Sequence, residues 1–81
     1  TYEGALAALD ELLQLDPKEY QFHNLRGVVK ERMMRYAEAT PSYTTALELQ
    51  PSSSTVRLNL ALNYLRVEEV QRRCARVCLA G

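Results

Sequence analysis

Histidine occurs once in this chain, at His23, and cysteine twice, at Cys74 and Cys78. That scarcity excludes most chemistry. No catalytic constellation is present. Glycine-rich phosphate loops, H-E-x-x-H and G-x-S-x-G are absent. His23, Cys74 and Cys78 match no zinc spacing and leave a fourth ligand missing. The reading is therefore not an enzyme, with no metal and no cofactor. Two cysteines make no disulfide framework, and one helical turn apart they are poorly placed to bridge. They read as small apolar fillers of a helix stripe, and a reducing, cytoplasmic setting is the simpler expectation. Glycine and proline number three each, too few for long linkers. No apolar run approaches the ~20 residues of a membrane span. Formal net charge is zero, which argues against nucleic acid as partner. The chain opens on Thr1, and the expectation is an excised piece whose targeting segment lies outside it.

What is present is an ordinary globular composition, 47% hydrophobic and 25% charged, in 81 residues. That is enough for one small domain with a marginal core. The charge is unevenly spread. Residues 1–19 set Glu3, Asp10, Glu11, Asp16 and Glu19 against Lys18 alone. Residues 54–81 set Arg57, Arg66, Arg72, Arg73 and Arg76 against Glu68 and Glu69. One end is acidic and the other basic.

The chain also repeats itself. "YEGALAALDELLQLDP" (2–17) returns 34 residues later as "YAEATPSYTTALELQP" (36–51). Tyr2 falls on Tyr36, Ala5 on Ala39, Leu13 on Leu47, Leu15 on Leu49 and Pro17 on Pro51. Leu9 falls on Tyr43 and Leu12 on Ala46, keeping the apolar class. Matches at 2, 5, 9, 12 and 13 mark one face of a helix. A fixed period of this size is the mark of stacked repeats.

The intervening stretches also pattern as helix. Residues 20–33 align Phe22, Leu25, Val28, Val29 and Met33 on a broad face. Residues 54–66 carry two stripes, Val56, Leu60, Ala61 and Tyr64 on one and Leu58, Leu62 and Leu65 on the other. Both stripes should be covered. Residues 67–80 place Val67, Val70, Cys74 and Val77 on a stripe. "DPKE" (16–19) reads as a capping box, and "PSSS" (51–54) offers serine N-caps. Five helices are expected, at about 2–15, 19–33, 36–49, 54–66 and 68–80, joined by short antiparallel connections.

The 34-residue period, Gly27, "Y-A-E-A" at 36–39, Tyr43 and "A-L-E-L-Q-P" at 46–51 resemble the tetratricopeptide repeat family. The resemblance covers essentially the whole chain. It implies an all-α, right-handed solenoid of stacked antiparallel hairpins in a single domain. Residues 1–19 would be the second helix of a truncated repeat, 20–53 a complete repeat, and 54–81 a final divergent one. Gly27, Ala39 and Ala46 are small where helices must approach closely, and Tyr36 and Tyr43 fill the space beside them. Pro51 ends a helix and sets the next turn. Two departures stand out. Arg73 falls where the repeat has Ala39, which suggests a polar terminal helix with Arg73 reaching outward. Pro41 sits inside a helix, where it removes the bond to Ala37 and is expected to distort it. Met33 and Met34 are expected to pack at a helix end.

The resemblance also implies a concave groove lined by first helices. Its residues would be Asn24, Val28 and Arg32, then Leu58, Asn59, Leu62, Asn63, Leu65 and Arg66. Asparagine amides can pair with a peptide backbone, and Arg32 and Arg66 can hold a carboxylate. The leucines would otherwise form a bare apolar patch, or pack on a neighbouring repeat or a second copy. The function read from this is a protein–protein interaction module, a scaffold or adaptor, binding a peptide segment or partner helix. Two alternatives stand beside it. One is self-association through residues 2–15, with other copies or with flanking repeats of a larger parent. The other is a co-chaperone-type receptor for acidic C-terminal tails, for which Asn59 fits but the expected lysine does not appear.

Overall fold

The computed structural model describes residues 1–80, the side chains of 78–80 excepted. Among these residues there are four helices and no strand: α1 (Tyr2–Leu15), α2 (Tyr20–Arg32), α3 (Tyr36–Leu49) and α4 (Ser54–Ala80). Each packs on the next in sequence. The hydrogen bonds Asn59–Asn24 and Asn63–Glu31 join α4 to α2 with both chains ascending. α2 and α4 therefore run parallel, and the short loops reverse α3 between them.

The punctuation is local chemistry. Thr1 caps α1, its hydroxyl accepting from the Gly4 N–H at 3.0 Å. The capping box expected at Asp16 is displaced. Asp16 ends α1, while Glu19 caps α2 by accepting from the Gln21 N–H at 3.3 Å. His23 Nε2 donates to the Pro17 carbonyl at 2.9 Å and ties this turn down. Ser53 caps α4 through its hydroxyl, which accepts from the Val56 N–H at 3.3 Å.

The α2–α3 turn is a Schellman motif. The Arg35 N–H reaches the Lys30 carbonyl and the Met34 N–H the Glu31 carbonyl, both at 2.9 Å. Its pivot residue, Met34, holds φ at 62°, a conformation that suits glycine. Met34 is 79% exposed. The expectation that it packs at the helix end is thus corrected, and it holds the turn instead.

The core is small. Ala39, Tyr43 and Leu60 form its centre, with Val28 and Leu47 against them. Leu9, Ala46 and Val56 are also buried. Gly27 is buried as its spacing predicts. A Cβ there would lie 2.7 Å from the Tyr43 ring. Pro41 lies inside α3 on its exposed side, and the helix runs unbroken through it. Leu25, expected on the packed face of α2, is 49% exposed.

The five-helix expectation is corrected at α4. The segments 54–66 and 68–80 are one helix of 27 residues. No glycine or proline interrupts it. Ion pairs Glu68–Arg72 at 2.6 Å and Glu69–Arg73 at 2.9 Å brace the helix just beyond the point where a break was expected. Val56, Leu60, Asn63, Val67, Val70, Cys74 and Val77 follow one 3-4 spacing along it. The first three are buried, Val67 is half-buried, and the last three are exposed. The seam therefore continues beyond the helices that cover it. Cys74 is a free, exposed thiol rather than a buried filler. Cys78 was expected to fill the same stripe, but its side chain lies outside the described residues.

Candidate partner-binding face

Where α2 and α4 run side by side, a recess of about 370 Å³ is lined by Val28, Glu31, Arg32, Tyr36, Tyr43, Asn59 and Arg66. The 3-4 spacing of α2 places Val28, Glu31 and Arg32 on one side of that helix. Four of the expected groove residues meet here: Val28, Arg32, Asn59 and Arg66. Asn24 joins through its side chain, which accepts from Asn59 Nδ2 at 3.0 Å.

Asn63 does not face the groove. It is fully buried. Its amide donates to Glu31 at 3.0 Å and to the Tyr36 carbonyl at 2.9 Å. Its oxygen accepts from the Thr40 hydroxyl. The amide nitrogen and the oxygen of Asn63 are both bonded inside the protein, so it fastens α4 to α2 and α3.

Glu31 is the residue that sequence reasoning passed over. Its side chain is only 11% exposed. It accepts from Tyr43 Oη at 2.9 Å, Asn63 Nδ2 at 3.0 Å and Arg66 Nη1 at 2.8 Å. A buried carboxylate needs such partners. Burial, then the hydrogen bond and charge of Glu31, push the Tyr43 phenol well above its usual range, against a smaller opposing pull from Arg66. Arg66 is thus already paired, with half of its side chain exposed. Glu31 shares the spacing that picked out Val28 and Arg32, but nothing in the sequence singles out its partners on other helices.

Leu58, Leu62 and Leu65 stand on the side of α4 turned away from Val56, Leu60 and Asn63. They are 59%, 37% and 63% exposed. The expectation that both stripes of this helix are covered fails within the described residues. A larger groove lies elsewhere. It measures about 560 Å³, is lined by Ala37, Thr40, Pro41, Thr44, Thr45 and Val67, and carries no titratable group. No cluster of three potential metal ligands occurs among the described residues. No helix among them is long and apolar enough to cross a membrane.

Two curated rice proteins (Oryza sativa subsp. japonica) are similar to this chain. DnaJ protein P58IPK homolog B is 37% identical over 60 residues, 74% of this chain and 13% of the relative. DnaJ protein P58IPK homolog A is 35% identical over 60 residues, with the same coverage. The chain thus spans about an eighth of each relative's length. No family model matches the chain. No solved structure matches it either.

Proposed function

We propose that this chain is a protein–protein interaction module of stacked tetratricopeptide-like hairpins, whose concave face holds a peptide segment or a partner helix. The observation that carries the reading is the bare leucine row Leu58, Leu62 and Leu65 on α4, beside the polar recess of Asn59, Arg32 and Arg66. A leucine row on one helix face suits the apolar anchors of a partner, and the polar groups beside it can fix register. The similarity to part of two DnaJ-named proteins supports an interaction role at a coarse level. A non-enzymatic, scaffold-like module in the cytoplasm is the corresponding proposal for the whole.

The test is a display-selected peptide. Peptides selected against the chain should shift the amide signals of Leu58, Leu62 and Leu65. They should lose binding at least tenfold in Leu62→Asp, while the helical melt of that variant stays intact. Selected peptides that bind Leu62→Asp as well as the parent would remove the reading.

Self-association is the second reading, and a contrast between the repeats favours it. In the middle hairpin Gly27, Ala39 and Ala46 are buried. Their counterparts one period away are more open: Ala61 is exposed, Ala5 half-buried and Leu12 41% exposed. α1 and α4 thus carry open versions of the joint that the middle repeat closes. Another copy, or flanking repeats of a parent, would cover them. Capture of acidic tails is the least supported reading, because Arg66 is engaged by Glu31.

A further inference from the structure

We propose that Glu31 is the specificity-determining residue of the concave recess: by seating its own carboxylate on Arg66, it excludes acidic peptides from a face that would otherwise hold them. The proposal rests on the groove reading above and adds which chemistry the groove refuses.

Arg66 and Arg32 line the recess together with Asn59 and Tyr36, a donor set suited to a carboxylate. One carboxylate is already there. Glu31 takes Arg66 Nη1, Tyr43 Oη and Asn63 Nδ2, three donors from two neighbouring helices. An external acidic group would have to displace a buried carboxylate that already holds three hydrogen bonds, or sit beside it. Displacement strands a buried charge, and sitting beside it sets like charges together. The remaining amides are partly engaged. Asn59 is bonded to Asn24, and Asn63 is sealed inside. Glu31 therefore works as a built-in repulsive element, and the exposed leucines remain the attractive part of the face. Arg32 alone is left on this face as a cation without a salt bridge among the described residues.

The probe is pentaglutamate with a free C-terminal carboxylate, titrated against the 81-residue chain and followed by amide and arginine side-chain NMR. The unaltered chain should show no saturable shift at Arg66 or Arg32. A saturable shift there overturns the proposal with no variant needed. Glu31→Gln, which keeps the side-chain shape, should bind the probe at least tenfold tighter. That gain should fall with added salt and vanish in Glu31→Gln combined with Arg66→Ala. If Glu31→Gln gains nothing, or gains binding only at Arg72 and Arg76, the proposal is overturned. Should Glu31→Gln fail to fold, the titration of the unaltered chain still decides. Failure of the groove reading is seen separately, as display-selected peptides indifferent to Leu62→Asp.

Discussion

At Gly27 a single added carbon decides the packing. Three ring atoms of Tyr43 lie 2.7 to 2.9 Å from where that carbon would stand. Tyr43 cannot retreat, because it is fully buried and its hydroxyl is held by Glu31. Glycine normally costs a helix about 1 kcal/mol relative to alanine. Here the gain from alanine is spent on displacing the ring, and a larger side chain overpacks. Gly27→Leu should destabilise by roughly 1–3 kcal/mol, read as a lower thermal or urea midpoint. An unchanged midpoint would mean that α2 and α3 do not meet at this point. Met34 poses the opposite case. It pays for a left-handed backbone at φ 62° with an exposed side chain that has little to lose. Left-handed geometry costs an L-residue about 1–2 kcal/mol, so Met34→Gly should raise stability by about 1 kcal/mol in urea melts. The two sites differ in how far the sequence reveals them. Gly27 is legible from its repeat register, because a small residue recurs there as Ala61. The strain at Met34 is invisible, because only the turn geometry reveals that position as the left-handed one. The same limit hides Glu31, whose role depends on Tyr43, Asn63 and Arg66, which are distant in sequence.

At the scale of helices, periodicity located three of the four closely. α1 and α3 match the expected bounds, and α2 differs by a residue at each end. The failure at α4 has a physical cause. The expected break near Val67 rested on separate apolar stripes at 54–66 and 67–80, but no glycine or proline is there to make it. Local preference for continued helix, reinforced by Glu68–Arg72 and Glu69–Arg73, prevails over the repeat. Each of those pairs is exposed and contributes at most about 0.5 kcal/mol. The outer half of α4 is thus held mainly by its own backbone bonds. Hydrogen exchange should show this as a gradient along one helix. Amides near Leu60 and Asn63 should be protected close to the global limit, while those from Val70 to Val77 exchange orders of magnitude faster. Equal protection across α4 would indicate that residues 68–77 fold back onto α3, as the repeat register implies.

The whole molecule is a slab of about 47 × 29 × 14 Å, too thin to bury much of its apolar surface. Tyr2, Leu12 and Leu15 remain open on α1, and Leu58, Leu65 and Val77 on α4. A chain of this size has a marginal core, and repeats gain stability by stacking on neighbours. The two ends also differ in sign. Residues 1–19 hold five acidic groups against one lysine, and residues 54–81 five arginines against two glutamates. If copies meet head to tail, the acidic α1 of one lies against the basic α4 of the next, and exposed charges set part of the affinity. Such charges are screened within ~10 Å at 0.1 M salt and ~3 Å at 1 M. If two copies instead pair their α1 helices about a two-fold axis, like charges meet, apolar burial dominates, and salt leaves the contact intact or strengthens it. Sedimentation across concentration and salt separates these arrangements. The head-to-tail joint is the expected one, since it sets unlike charges together and joins the open counterparts of Gly27 and Ala39. The weight-average mass at high protein concentration should therefore exceed the monomer at low salt and fall toward it near 1 M. A salt-independent dimer would select the two-fold arrangement. A monomer at every concentration, with α1 still helical, would show that these open faces need no second copy.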